Sequence, residues 1–368
     1  MTVQEIKRRA PKPPRLKPLE TRAYRPTVSV VISCYNYARF LPQAVHSCLS
    51  QQDVDVEVIV VDDASTDDSA CVARELSRNH GNVFFIQHSA NVGPVGSFND
   101  GARTATGEFL VRLDADDLLT PGSLARSTLV AQSFPSVGLV YGHPLHFSSQ
   151  RLPRPRLNAS GWTIWPGREW LAGRCRSGKN VITSPEVLMR RSLVAQLGYL
   201  SPLAHSHDME LWLRLSSFSD VAYIHGADQA WHREHCQSLS ATSVDEVVDF
   251  RERVAAFDVL FSGPAGGLVD VAHLRDTVRR TLAMEALRTA RHELARGSRY
   301  AALYKQWLDL AEQLDPRAAE NARWERLEPS ARFQSLPPWL RPESLALRLH
   351  GRIRSELEWR RWHRTGVS

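Results

Sequence analysis

The segment Leu113-Asp114-Ala115-Asp116-Asp117 follows the apolar run Phe109-Leu110-Val111 and precedes Leu118-Leu119-Thr120-Pro121. Carboxylates at the end of a buried strand can hold a hard divalent cation, which usually binds through one or two carboxylates plus waters and substrate phosphates. A solvated acidic turn is the alternative for so short a motif. The cluster therefore indicates phosphate chemistry if the surrounding sequence supports it.

Around this cluster, strand patterns alternate with helical patterns along the chain. Apolar runs rich in β-branched residues suit strands buried on both faces. They predict strands at 28–33, 56–61, 83–86, 108–113 and 137–141, with helices at 40–49, 69–78, 95–104, 121–134 and 207–218. This alternation predicts an α/β fold, in which ligands bind beyond the carboxyl ends of the strands.

Composition divides the 368-residue chain into three parts. Residues 1–26 are rich in Lys, Arg and Pro, which predicts a disordered basic arm. Residues 27–245 carry the alternating pattern, and within them the Pro-, Arg-, Gly- and Trp-rich stretch 151–178 predicts irregular structure. Residues 246–368 change to long helical patterns, so a boundary is predicted near residue 245.

The sequence also bears on the compartment. No apolar core of a signal peptide follows the basic arm, and no run approaches the roughly 18 apolar residues of a membrane span. The five cysteines are odd in number and widely spaced. This argues against a disulfide framework and a closed zinc site. A cytoplasmic protein is expected.

Several ordered motifs resemble glycosyltransferase family 2, the inverting enzymes of GT-A fold. The resemblance covers about residues 27–245 and rests on Val30–Asn36 (VVISCYN), Val60–Asp67 (VVDDASTD), Asn91–Gly93 (NVG), Asn99–Gly101 (NDG), Leu113–Asp117 (LDADD) and His207–Arg214 (HDMELWLR). It implies a Rossmann-like mixed sheet flanked by helices, followed by the C-terminal helical region.

The resemblance implies that a nucleotide-diphospho-sugar donor binds at the strand ends. It places Ser33 and Tyr35 in the nucleotide pocket, and it implies that Asn91 and Gly93 shape a nearby loop and that Asn99 faces the donor. Asp63 would accept a hydrogen bond from the imide of the base. An ionised carboxylate accepts only, which favours uridine or thymidine donors. Helix capping and turn formation are the alternative for Asp62 and Asp63.

In the acidic cluster the resemblance assigns Asp114 to the sugar and ribose side and Asp116 to a metal, with Asp117 as a structural cap. The metal would neutralise the diphosphate leaving group, for which Mn²⁺ or Mg²⁺ fits best. Asp208 matches the position of the base that takes the acceptor proton. Its neighbour is His207 where the family more often has Glu, and an N-cap role is the alternative.

Three further residues match the family less closely. Arg233 is assigned to the diphosphate, and His235 to the metal shell or a phosphate, with a surface loop as the alternative for the His235 region. The family commonly has a basic residue where this chain has Ser97. Arg112 is the preferred replacement, and a structural ion pair is the alternative for it.

The expected partners are the donor and a glycan or lipid-linked acceptor, in cell-surface polysaccharide assembly by family analogy. The tail 348–364 interleaves Leu, Ile and Trp with Arg, which suits peripheral membrane contact or packing on this domain or another subunit. Nucleic acid is not expected, because carboxylates at three strand ends repel phosphate. A dTDP-sugar transferase and a degenerate binding or scaffold protein remain alternatives.

Overall fold

The computed structural model describes residues 15–16, 24–149, 151–235, 245–296, 301–317, 353 and 356–367. Within this part of the chain, ten strands form one mixed sheet in the order β1-β8-β10-β7-β9-β5-β2-β3-β4, with β6 paired to β10. The strands are β1 Arg15–Leu16, β2 Thr27–Cys34, β3 Asp55–Asp62, β4 Val83–Gln87, β5 Phe109–Asp114, β6 Leu118–Leu119, β7 Val137–Phe147, β8 Gly161–Trp165, β9 Leu188–Arg190 and β10 Asp220–Arg233.

Helices cover both faces of this sheet. They are α1 Leu41–Leu49, α2 Ser69–Asn79, α3 Gly93–Thr104, α4 Ser123–Ser133, α5 Gly167–Ser177, α6 Arg191–Leu197, α7 His207–Ser216, α8 Glu246–Ser262, α9 Val271–Arg296 and α10 Ala301–Leu314. A further helical stretch spans 356–365. Among the described ranges, no helix is both long enough and apolar enough to span a membrane.

Two hydrophobic layers form because side chains alternate along the strands. In β2, Val31 belongs to the hydrophobic layer that also contains residues of α3, α5, α7 and the C-terminal helices α8–α10. Its neighbours Val30 and Ile32 pack on the opposite face with α1, α2 and α4. The C-terminal helices therefore share a core with the sheet, while the division near residue 245 stays a prediction.

The register of the parallel strands brings the predicted site residues together. Ser33 lies opposite Asp114 of β5, and Cys34 lies opposite Asp62 of β3. Because β2, β3 and β5 run in parallel, their carboxyl ends share one edge of the sheet. The strand ends singled out in the sequence thus form one surface.

The sequence interpretation was wrong for two regions. The stretch 151–178, predicted as irregular, contains β8 and α5. The 14-residue strand β10 was not predicted, although it pairs with β7, β8 and β6. The strands β8 and β10 were missed because they are held by pairing with distant strands, which local sequence periodicity does not show.

The two chain ends are described only in part. Most of the predicted basic arm 1–26 lies outside the described residues, and Arg15–Leu16 pairs with β8. The tail helix 356–365 packs on the domain, where the Trp362 indole donates to Val181 O at 2.9 Å. The Tyr141 hydroxyl donates to Gly366 O at 2.7 Å. Packing on this domain, one of the alternatives for the tail, is therefore present.

Candidate active site

Asp63 lies directly after β3 and fixes the loop that leads into α3. Its Oδ1 accepts from Val92 N at 2.9 Å, and its Oδ2 accepts from Gly93 N at 2.8 Å. The ring of His88 contacts Oδ1 at 2.9 Å, and the Asn91 side chain donates to Asp63 O at 3.2 Å. Asp63 therefore caps the amino end of α3, where partial positive charge suits a carboxylate.

This capping role is compatible with the predicted contact to a base. A carboxylate oxygen has about two acceptor positions, and one donor to Oδ2 of Asp63 is described. Asp62 has the turn role expected for one member of the pair, because its Oδ2 accepts from Ser65 N at 3.3 Å. The imide contact of Asp63 stays a prediction.

Asn36 joins the loops that follow β2 and β3. Its side-chain oxygen accepts from Thr66 N at 2.8 Å and Asp67 N at 3.3 Å, and its own N–H donates to Ser65 Oγ at 2.9 Å. The residue has a φ of +60°, a conformation that Asn tolerates better than most side chains. Sequence reasoning had placed Asn36 in a motif without giving it this role.

Ser33 and Tyr35 flank the same surface. The Ser33 hydroxyl is buried without a hydrogen-bond partner among the described atoms, and Tyr35 is 44% exposed. A buried polar group without a partner is costly. An unpaired hydroxyl and an exposed aromatic ring at the strand ends are consistent with a polar, planar ligand, as predicted for these two residues.

Asp116 pairs with His235 across the site. Its Oδ2 lies 2.8 Å from His235 Nε2, and the ring of His235 packs against Tyr37 and Phe40. Burial and the adjacent carboxylates of Asp117 and Asp114 raise the pKa of Asp116 to about 6. A cation would relieve the repulsion among these three carboxylates.

The Asp116 and His235 pair fits a divalent cation. Adjacent ligands of an octahedral ion with bonds of about 2.1 Å lie about 3 Å apart, close to the separation of these two atoms. In the described part of the chain, no group of three or more His, Cys, Asp or Glu residues could hold a metal. The remaining ligands would have to be waters and substrate phosphates, which is the usual coordination of Mg²⁺.

The end of β10 is attached to the acidic cluster. Asp117 accepts from Arg233 N at 2.8 Å and contacts His232 Nδ1 at 3.0 Å. Although burial opposes it, the bond and the charge of Asp117 raise the pKa of His232 to about 9. Arg233 donates through Nε to Asp116 O at 3.0 Å. The Asp117 carboxylate thus holds the end of β10, whereas the prediction was a cap for the following turn, and it places Arg233 beside the predicted metal residue.

A chain of hydrogen bonds links Asp114 to Asp208. Arg112 donates through Nη2 to Asp114 Oδ1 at 2.7 Å and through Nη1 to Ser184 Oγ at 2.8 Å. Ser184 Oγ donates to Asp208 Oδ2 at 3.3 Å. The structural ion pair weighed for Arg112 is therefore present, and its contact to the donor stays a prediction. The chain connects the donor-side carboxylate with the predicted base.

Asp208 lies in the first turn of α7 and is not its N-cap. Ser206 precedes the helix, and its N–H donates to Glu252 Oε2 at 3.3 Å. The Asp208 carboxylate accepts from Met209 N and Ser184 Oγ. The capping alternative is therefore not what the structure shows.

Ser184 and Glu186 are site residues that sequence reasoning missed. Ser184 is buried with a φ of +135°, which residues with a Cβ rarely adopt. Glu186 holds this turn by accepting from Thr183 N at 2.6 Å and Ser184 N at 3.1 Å. Burial raises the pKa of Glu186 to about 7. A strained turn held in this way is typical of functional sites.

Asn99 is placed differently from the expectation. Its amide binds the backbone of Leu200 twice, as a donor to O and as an acceptor from N, both at 2.9 Å. These bonds tie α3 to the segment that precedes α7. The predicted orientation toward the donor has no support here, and a structural role accounts for the residue.

With this geometry in view, comparison with known proteins is decisive for the central domain. The family model described as glycosyl transferase family 2 matches residues 29–198. The chain contains a glycosyltransferase family 2 domain. This confirms the resemblance drawn from the sequence motifs.

Curated relatives match over about a third of the chain. An uncharacterized glycosyltransferase of Nostoc sp. is 42% identical over 114 residues, which are 31% of this chain and 35% of the relative. The GalNAc(5)-diNAcBac-PP-undecaprenol beta-1,3-glucosyltransferase of Campylobacter jejuni is 35% identical over 121 residues, 33% of this chain and 38% of the relative. The matches thus span little more than a third of these relatives.

Solved structures extend the likeness to most of the fold. TarS residues 1–349 of S. aureus in complex with UDP-GlcNAc matches with a TM-score of 0.59 and 16% identity, covering 87% of this chain and 89% of that chain. At this identity the match concerns the fold alone. The GT-A architecture with C-terminal helices, as predicted from the sequence, is confirmed.

Proposed function

We propose that this protein is an inverting, metal-dependent glycosyltransferase that transfers a sugar from a UDP-sugar to a hydroxyl of a glycan or lipid-linked acceptor. The observation that carries the proposal is the hydrogen-bonded chain from Asp114 through Arg112 and Ser184 to Asp208. It would join Asp114, on the proposed donor side, to Asp208, the proposed base on the opposite face of the reacting carbon. Such an arrangement suits a single displacement.

In this reaction the acceptor oxygen attacks C1 of the sugar and its proton passes to the Asp208 carboxylate. The bond between C1 and the diphosphate oxygen breaks on the opposite face, so the configuration at C1 inverts. Asp114 holds the sugar and ribose side, and Arg233 offers positive charge to the diphosphate. One positioned base is expected to contribute about 10²–10⁴-fold to the rate.

Asp116 and His235 would hold Mn²⁺ or Mg²⁺. When bound, the ion would neutralise charge on the diphosphate as a Lewis acid. Arg233 lies on Asp116 O and stacks over Phe40 with its guanidinium 4.6 Å from the ring centroid. Its position against the acidic cluster would add a second, fixed positive charge to the same leaving group.

The Asp63 carboxylate supports the choice of donor, and two curated relatives support the choice of pathway. Asp63 can accept a hydrogen bond from the N3–H of uracil or thymine, but it cannot pair with a base edge that presents only acceptors. UDP is therefore proposed, with dTDP as the comparator. The Campylobacter relative carries a name that describes an undecaprenol-linked substrate, and another, the succinoglycan biosynthesis protein ExoU of Rhizobium meliloti, is 36% identical over 29% of this chain and 31% of its own length. Cell-surface polysaccharide assembly at the cytoplasmic face is proposed on this analogy.

Release of the nucleoside diphosphate tests the proposal. The wild type would be incubated with Mn²⁺ and UDP-, dTDP- and GDP-sugars, with water or simple glycosides as acceptors. Asp208→Asn should lower UDP release by about 10²–10⁴-fold. Asp258→Asn on the half-exposed side of α8 is the matched control and should leave the rate unchanged. The anomeric configuration of the product, followed by NMR, reports inversion.

Three outcomes would count against the proposal. Absence of turnover by the wild type on every donor would favour a degenerate nucleotide-sugar-binding protein. Turnover by Asp208→Asn within a few-fold of the wild type would remove Asp208 as the base. Retention of configuration would refute the single displacement.

A further inference from the structure

A cavity of about 540 Å³ opens beside the predicted base. Its wall includes Asp208 and Met209 of α7 together with residues of α8, α9 and α10. This volume lies in the range of about 300–1,000 Å³ that holds small organic ligands. The C-terminal helices, which the family match at 29–198 does not cover, thus build a compartment that reaches the reacting centre.

The charge on this cavity is strongly one-sided. Its lining contains one guanidinium, that of Arg253, and five carboxylates, those of Asp208, Asp245, Glu246, Asp249 and Glu285. Arg253 is already engaged, because it contacts Asp249 at 3.0 Å and Glu285 at 2.8 Å and donates to Gly178 O at 2.7 Å. An anionic ligand would therefore meet net repulsion.

A cation site does not account for the carboxylates. In the described ranges, no three His, Cys, Asp or Glu residues are grouped closely enough to hold a metal. Carboxylates spread around a cavity instead offer separate hydrogen-bond acceptors, which suit the hydroxyl or ammonium donors of a saccharide.

Trp307 gives an independent indication of a ligand. It lines the cavity and is 3% exposed, and its indole N–H is buried without a hydrogen-bond partner among the described atoms. A buried tryptophan N–H usually finds a partner. A ligand hydroxyl oxygen could supply one here.

We propose that this cavity binds the acceptor as a neutral or amino saccharide and excludes acidic sugars such as uronates. The assignment rests on the proposed function, because it takes Asp208 as the base that faces the acceptor hydroxyl. Within that function it names the acceptor class. It also gives α8–α10 the role of an acceptor wall.

Binding to the full-length chain labelled with ¹⁵N-tryptophan tests the assignment. Trp307→Phe identifies the Trp307 indole signal. Methyl glucoside and methyl glucosaminide should shift this signal in a saturable way. Methyl glucuronide should bind at least about tenfold more weakly, judged from the concentration needed to produce the same shift. Glu246→Gln removes one carboxylate of the lining, so it should reduce the difference in binding between methyl glucuronide and the other two glycosides. Glu312→Gln on the exposed surface of α10, outside the lining, is the matched control.

The outcomes separate the two claims. Failure of all three glycosides to shift the Trp307 signal would overturn the acceptor site, and equal shifts by the glucuronide would overturn the charge selection. Both binding results can be interpreted whether or not the protein transfers a sugar. Saturable glycoside binding without UDP release from any UDP-sugar would support the saccharide site while the proposed transferase function fails.

Discussion

At the scale of single residues, Ser184 connects the two sides of the proposed reaction. Its hydroxyl accepts from Arg112 and donates to Asp208. Hydrogen bonds to charged groups contribute about 1.5–3 kcal/mol. We therefore expect Ser184→Ala to lower kcat by about 10- to 100-fold while the Kd for UDP stays within two-fold.

Two variants make this prediction specific. Ser184→Thr keeps the hydroxyl and should recover part of kcat. Ser216→Ala removes a different buried hydroxyl, in α7, which donates to Leu213 O at 2.8 Å. This change should leave kcat unchanged. A loss of UDP affinity in Ser184→Ala equal to its loss of kcat would indicate a general structural role instead.

Glu186 makes stability depend on pH. Its pKa is about 7 in the folded protein against 4.5 ordinarily, so the folded state binds the extra proton between these values. The contribution of Glu186 to stability is therefore present below pH 4.5 and is lost as the pH rises to 7, by about 3 kcal/mol. Urea unfolding should therefore show the wild type losing stability relative to Glu186→Gln as the pH rises from 5 to 8.

The reference for this measurement is Glu75→Gln, a change on the exposed surface of α2. Its unfolding curve should follow that of the wild type at each pH. Parallel pH profiles of Glu186→Gln and the wild type would mean that Glu186 is not held in the buried environment described.

At the scale of elements, Asn36 fixes the geometry of the two loops beneath the predicted nucleotide pocket. Asn36→Ala removes the side-chain bonds and keeps a Cβ at a φ of +60°, whereas Asn36→Gly removes the bonds and also the Cβ that is strained there. We expect both variants to weaken UDP binding. Thermal unfolding should show Ala to be the less stable of the two by about 1 kcal/mol. Equal stability would show that backbone strain contributes nothing here.

The elements that were predicted correctly are those with strong local patterns. The alternating strands and helices from β2 to α4, apart from the two-residue β6, were recovered because buried parallel strands give continuous apolar runs. Ser33, Asp63 and Asp114 could be placed at one edge from topology alone. β10 was missed because its polar and aromatic residues are held by neighbours in β6, β7 and β8, which the local sequence does not show.

The candidate site shows the same limit. Acidic motifs in sequence order predicted Asp116 and Asp208 as site residues, but the hydrogen-bonded chain from Asp114 to Asp208 depends on Ser184, in a segment without a motif. Its partner Arg112 lies 72 residues away along the chain. Contacts of this kind are set by tertiary packing, and a single sequence gives no signal for them.

At the scale of the whole molecule, the tail helix presents apolar side chains to solvent. Ile353, Leu357 and Trp359 are 53%, 59% and 56% exposed, while Trp362 packs inward. Arginines accompany them in the sequence, which suits an anionic lipid surface. We therefore expect co-sedimentation with phosphatidylglycerol vesicles, weaker with phosphatidylcholine and weaker at high salt.

The variant that tests this contact combines Leu357→Ser with Trp359→Ser. It should lower vesicle binding at least about tenfold, because each side chain contributes about 1.5–3 kcal/mol when buried. Val269→Ser, at a position 96% exposed away from the tail, is the control. Unchanged binding of the double variant would place any membrane contact elsewhere.

The most direct test of the central claim is isothermal titration with UDP in the presence and absence of Mn²⁺, on the wild type and Asp116→Ala, with dTDP and GDP as comparators. We expect UDP or dTDP to bind the wild type only with Mn²⁺, GDP to bind at least about tenfold more weakly, and Asp116→Ala to lose the metal-dependent binding. Absence of binding by every nucleotide, or binding that neither Mn²⁺ nor Asp116→Ala changes, would contradict the proposed metal-dependent transferase.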